Sequence, residues 1–129
     1  MAVLGPQSGS IPFTLVSAAN NNATLVKAAP GHLTIFSGGN VNANPRYVKF
    51  FDTAIASTSG FSGINPVWNI ILPGNTAGAG SNVPLSAAGP QVGGLQFFNG
   101  IAFMITPNIA LTDQSGVSAG DVTINLGYV

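Results

Sequence analysis

The sequence predicts an all-β chain, an antiparallel β-sandwich or barrel of about eight strands. Three observations carry this. Gly and Pro make up 26 of the 129 residues (17 plus 9), and they are spread throughout. No window of a dozen residues escapes them with an i, i+3, i+4, i+7 apolar pattern, which disfavours helices. Short apolar runs instead alternate with turn residues, the pattern of antiparallel sheet proteins.

The runs fall in order. Residues 11–16 (IPFTLV) place Ile11, Phe13 and Leu15 on one face, with Pro12 marking an edge or a strand start. The Asn20-Asn21-Asn22 turn leads to a strand over 23–27, which Pro30-Gly31 closes. A strand over 32–36 puts Leu33 and Ile35 together, and Ser37-Gly38-Gly39-Asn40 ends it. Asn44-Pro45 opens a strong strand over 46–52 (RYVKFFD). Residues 53–66 read as loop, 67–72 (VWNIIL) as a strand, and NTAGAG at 75–80 as a glycine-rich loop. A short strand over 83–85 precedes strands over 91–98 and 101–106. Asn99-Gly100 between these two predicts a tight hairpin turn, with a bulge as the alternative. The last strand, 121–129 (DVTINLGYV), alternates cleanly, with Val122, Ile124, Leu126 and Tyr128 on one face. No linker divides the chain, so one domain over 1–129 is expected, with residues 1–20 as an N-terminal arm.

Two strands carry apolar side chains on both faces. In 101–106, Ile101, Phe103 and Ile105 share one face while Ala102, Met104 and Thr106 share the other. In 46–52, Val48 and Phe50 point to the core, and Tyr47 and Phe51 flank Lys49 on the opposite side. A lysine in mid-strand is expected to face outward, because an unpaired buried ammonium is costly. A two-layer sandwich covers only one face of each sheet. The second cover is therefore a loop of the same chain or a neighbouring subunit. Tyr47, Phe51, Trp68 and Met104 are the candidate interface residues, in a homo-oligomer expected to be a trimer.

Composition excludes several function classes. Charged residues are 5% of the total: Lys27, Arg46, Lys49, Asp52, Asp113 and Asp121. Three cations cannot neutralise a run of phosphates, so no nucleic-acid partner is expected. There is no cysteine and hence no thiolate metal site. The longest apolar stretch, 94–107, is interrupted by Asn99-Gly100 and ended by Pro107, too short to span a bilayer as a helix. No membrane partner and no secretory leader are expected.

Catalytic chemistry is equally thin. His32 is the sole imidazole, and no GxSxG elbow accompanies it. Asp52 is expected to pair with Arg46 or Lys49, and Asp113 and Asp121 to satisfy backbone N–H groups in turns. DQSG at 113–116 lacks EF-hand spacing, and NTAGAG lacks the Gly-Lys-Ser/Thr ending of a phosphate loop. No enzyme activity, cofactor or metal site is predicted. A neutral surface built from Asn, Ser, Thr and Gln lacks the mutual repulsion that keeps monomers apart. Much of it is therefore expected to be covered by other subunits.

Five segments in order carry a family resemblance: NNNATLVKAAPG (20–31), RYVKFFDTA (46–54), NIILPGN (69–75), GLQFFNGIAFMIT (94–106) and DQSGVSAGDVTINLGYV (113–129). Together they resemble a family of small virion structural proteins of tailed bacteriophages. The resemblance implies a β-sandwich or jelly roll that decorates or cements the capsid. Its partners would be itself, as a trimer, and the major capsid protein. Its place would be the capsid surface after synthesis in the host cytoplasm. A tail, neck or baseplate component is the first alternative. A lectin-like module binding glycan through Trp68 and the Asp113–Asp121 loop is the second.

Overall fold

The structure is a computed structural model and describes residues 10–75, 81–86 and 94–129. The described residues contain nine strands and no helix. The strands are β1 (Ile11–Val16), β2 (Thr24–Lys27), β3 (Gly31–Asn40), β4 (Arg46–Asp52), β5 (Trp68–Leu72), β6 (Ser81–Ser86), β7 (Leu95–Phe97), β8 (Ile101–Thr106) and β9 (Val122–Tyr128). One sheet has the order β1-β9-β3-β6, with β7 also on β3; the other has the order β2-β8-β4-β5. Every pairing is antiparallel. β7 meets residues 31–33 of β3 and β6 meets residues 35–40, so nine strands fill eight positions.

The two sheets close on one core, a β-sandwich. Val48 and Phe50 of β4, Ile101, Phe103 and Ile105 of β8, and Val122, Ile124 and Leu126 of β9 are buried in it. The alternation of β9 is met: Thr123 and Asn125 are exposed between the buried residues. Phe50 lies at the centre, with ring centroids of Trp68, Phe36, Phe103 and Phe97 at 5.5, 5.8, 5.9 and 6.3 Å. β1 is an edge strand, where the missing N–H of Pro12 leaves no ladder bond unmade. β1 pairs along its whole length with β9, so residues 11–16 of the expected arm belong to the sandwich. Residues 1–9 lie outside the described residues, as do 76–80 of the glycine-rich loop and 91–93 of the strand expected over 91–98.

Three local expectations are corrected. The Ser37-Gly38-Gly39-Asn40 stretch does not end β3 but continues it. A Cβ on Gly38 would sit 2.9 Å from Leu72 Cδ2, so this glycine serves close approach of the sheets. Ile35 does not share the core with Leu33. Leu33 pairs with Tyr128 and Ile35 with Gly127, leaving Thr34 as an extra residue in a β-bulge. The bulge resets the alternation, so Leu33 and Phe36 are buried while Ile35 is half exposed.

The third correction is at Asn99-Gly100, which makes no hairpin. β7 lies in one sheet and β8 in the other, so the backbone crosses the sandwich here. Gly100 is required by space: a Cβ would lie 2.4 Å from the Thr53 carbonyl oxygen and 2.7 Å from that of Lys27. Both neighbours are backbone and cannot rotate away. Gly100→Ala is expected to destabilise the fold by about 2 kcal/mol or more, in the range of overpacked sites. Chemical denaturation checks this, and a variant as stable as the parent would contradict the packing described.

Candidate functional site

The predicted interface residues separate in the structure. Phe51 and Met104 lie on the outer face of the second sheet, as the alternation requires, but both are fully buried. They form a second apolar cluster with Phe61 and Ala102, flanked by Ala23 and Leu25. Phe61 comes from loop 53–66 and stacks on Phe51 at 4.8 Å. Their cover is therefore the protein's own loop, and neither offers a subunit surface. Tyr47 is half-buried on this face. Trp68 is half-buried and packs its ring on Phe50 at the core edge.

The turn at Asn20-Asn21-Asn22 explains why the loops stay down. The Asn21 side-chain amide donates to the Ser59 carbonyl at 2.8 Å and to the Gln114 carbonyl at 3.0 Å. Its backbone oxygen accepts the Ile105 N–H at 2.7 Å, and the Asn20 oxygen accepts the Val117 N–H at 3.0 Å. Asn22 takes φ of 54°, a left-handed conformation that asparagine tolerates better than most residues. Three asparagines in a row are thus a hub tying loops 53–66 and 107–121 to the sheet. Sequence reasoning sees only a turn here; three asparagines where one turn needs fewer are the available signal.

The ionic groups are used inside the fold. Lys49 points to the outer face as predicted but is fully buried rather than solvated. Its Nζ donates to the Ala110 and Asp113 carbonyls at 2.6 and 3.2 Å, beneath loop 107–121. Burial lowers its pKa, and the nearby Asp113 charge partly offsets that. Asp52 pairs with neither Arg46 nor Lys49. Its carboxylate accepts the N–H groups of Phe98, Asn99 and Gly100 at 3.0, 2.7 and 3.2 Å. Asp113 accepts the Asn108 and Ser115 N–H groups, the turn role expected of it.

Asp121 does more than its expected turn role. Arg46 Nε and Nη2 donate to Asp121 Oδ2 at 3.0 and 2.9 Å, and Asn42 donates to both carboxylate oxygens. The Ser118 N–H adds a further bond. This is the one ion pair among the described residues, and it joins the start of β4 to the start of β9 across the sandwich. Beside it Asn40, fully buried, donates to the carbonyls of Asn44, Leu72 and Pro73.

Burial opposes ionisation of all three aspartates, but their hydrogen bonds outweigh it, and each pKa lies below the ordinary carboxylate value. Depressed carboxylates stabilise the fold above their unfolded pKa, and that stability is lost as pH falls through the folded value. The unfolding midpoint should therefore stay level from neutral pH down to about pH 4. It should then drop as the pH is lowered further. A midpoint that did not fall in acid would contradict these three sites. The measurement is thermal unfolding at a series of pH values.

No catalytic constellation is assembled among the described residues. His32 sits half-buried in β3, its backbone exchanging hydrogen bonds with Val129. All three carboxylates are engaged elsewhere, and no cluster of three or more His, Cys, Asp or Glu residues able to hold a metal occurs among the described residues. Two shallow clefts of about 330 and 240 Å³ lie between the covering loops, sharing Ile64 and Gln114. Ile55, Phe61 and Leu111 add apolar lining, and neither cleft is lined by a charged residue. Most of the rest of the lining is polar and uncharged, from Ser, Thr, Asn and Gln side chains. No helix among the described residues is long and apolar enough to cross a membrane. No family model, curated protein or solved structure matches the sequence.

Proposed function

We propose that this protein is a structural subunit of a tailed-bacteriophage virion, a decoration protein that binds and braces the head shell as part of an oligomer. One observation carries the proposal. Of the six charged side chains in the sequence, five are consumed within the fold: Arg46 with Asp121, Lys49 on loop carbonyls, and Asp52 and Asp113 on backbone N–H groups. Lys27 alone makes no such contact among the described residues, and it is half-buried. The outer surface is left with few charges, the half-buried Lys27, Asp52 and Asp113 among them, and carries large exposed apolar side chains such as Ile55, Phe98, Val41 and Ile109. A surface without repulsion suits permanent neighbours.

The strand order supports the same proposal. β1 pairs with β9, β2 with β8, β3 with β6 and β7, and β4 with β5, as in a folded ribbon of antiparallel strands rolled into two sheets. We read this order as a jelly roll, an arrangement common in viral shell and lectin domains. A lectin is less well supported, because Trp68 lies on Phe50 and both Asp113 and Asp121 are already bonded internally. The oligomer must be built from surfaces other than Phe51 and Met104.

Partners are the major capsid protein and further copies of this protein, held by apolar contact rather than ion pairs. Purified protein added to heads that lack it should co-sediment with them at hundreds of copies, and raised salt should release little of it. Failure to bind heads, a copy number of a few per particle, or shedding at modest salt would overturn the assignment. A few copies would point to the tail.

A further inference from the structure

Asn99-Gly100 is not the hairpin turn that its residue types predict, and the shell-binding role makes no use of it. Asn-Gly is also the dipeptide most prone to spontaneous deamidation, because glycine leaves its own backbone nitrogen unhindered. In that reaction the Gly100 nitrogen loses its proton to base and attacks Asn99 Cγ. A new bond forms between these atoms, the Cγ–Nδ2 bond of Asn99 breaks, and ammonia leaves with a proton from water. Water then opens the resulting succinimide at either carbonyl, giving aspartate or isoaspartate at position 99. No oxidant or reductant takes part.

We propose that Asp52 is a guard on this site, holding Asn99-Gly100 in a form that cannot cyclise, so that Asn99 is a latent modification site opened only when the turn is released. The attacking nitrogen is already committed: the Gly100 N–H donates to Asp52 Oδ1 at 3.2 Å. The Asn99 N–H donates to the same oxygen at 2.7 Å, and the Phe98 N–H to the other at 3.0 Å. The polar Asn99 side chain adds to the stabilisation of this carboxylate's charge. Deprotonating Gly100 would put an amide anion against a carboxylate, which like-charge repulsion disfavours.

Packing adds a second restraint. Gly100 is buried against the carbonyls of Lys27, at the end of β2, and Thr53, just after β4, so the peptide cannot swing toward the Asn99 side chain without pushing these backbone groups aside. Asn99 itself is exposed, so water and base reach it freely. What blocks the reaction is conformation, not access. Release would place a new carboxylate beside Asp52 and, in the isoaspartate product, an extra backbone methylene where the polypeptide passes between sheets. It would also loosen Phe98, whose exposed ring the same clamp holds at this corner.

The test is peptide mapping for isoaspartate at position 99 after incubating the full-length protein in mildly alkaline buffer. Three samples are compared: native protein, the same protein in denaturant, and folded Asp52→Asn. Reaction through rare local opening should make the native protein at least about tenfold slower than the denatured one. Asp52→Asn, with the repelling charge gone and one acceptor lost, should recover most of that difference. Equal rates in native and denatured protein, or full protection in a folded Asp52→Asn, would overturn the proposal. Amide hydrogen exchange on the unmodified protein gives an independent reading: Asn99 and Gly100 N–H must be protected, and free exchange there would also overturn it.

Discussion

Asp121→Ala should lower the unfolding free energy by about 3–5 kcal/mol, the cost of stranding a buried partner charge. The Arg46 residue is 8% exposed, so its guanidinium would be left largely out of water with no counter-ion. The Asn42 amide and the Ser118 N–H would lose their acceptor as well. For a domain of this size total stability is of order 5–15 kcal/mol, so the variant would sit near the limit of folding. Removing both charges is a different case. Arg46→Met combined with Asp121→Ala should be clearly more stable than Asp121→Ala alone, because no charge remains to be desolvated. Equilibrium denaturation of the single and double variants measures this. A single variant within about 1 kcal/mol of the parent would mean that the pair behaves as an exposed surface bridge, against the geometry found.

Phe50→Ala is expected to cost a similar amount, about 3–5 kcal/mol, for a different reason. Phe50 is fully buried and meets four aromatic rings drawn from β3, β5, β7 and β8. Truncation leaves a cavity in a layer fixed by both sheets, which cannot collapse to fill it. Phe50→Leu keeps most of the volume and should cost distinctly less. The contrast between the two is the informative measurement. Near-equal losses would indicate that the centre of the core lies elsewhere. The two sites are far enough apart in role that their effects should add: one clamps an end of the sandwich, the other fills its middle.

Much of the fold is legible in the residues. β9 can be read from Val122, Ile124 and Leu126 alternating with Thr123 and Asn125, because a period of two has one solution when one face is apolar. β4 and β8 are equally clear, including the need for a cover on their second faces. Ile35 is not legible. Its side is set by a bulge at Thr34, and a single extra residue in a ladder leaves no mark in composition. Asn99-Gly100 misleads because local turn preference and close approach of backbone both select glycine; only the surrounding carbonyls decide between them.

Two of the candidate interface residues, Phe51 and Met104, are covered from within the protein for a related reason. Tyr47, Phe51 and Met104 share an outer face in any antiparallel sheet, and the alternation says no more than that something covers it. The cover is made by loops 53–66 and 107–121, pinned by Asn21 through two carbonyl contacts far apart in sequence. The pairing of Arg46 with Asp121 is likewise a long-range event, separated by 75 residues.

The amino-acid sequence alone determined that this is an all-β protein with almost no charge, and which faces of its clearest strands are apolar. Those properties depend on residue type and on spacing within a few positions. The tertiary structure decided where the few charges go, what lies over the second sheet, and where the backbone passes from one sheet to the other. Each of these is a contact between segments distant in sequence, fixed by the shape of the whole sandwich, and local patterning has no term for it.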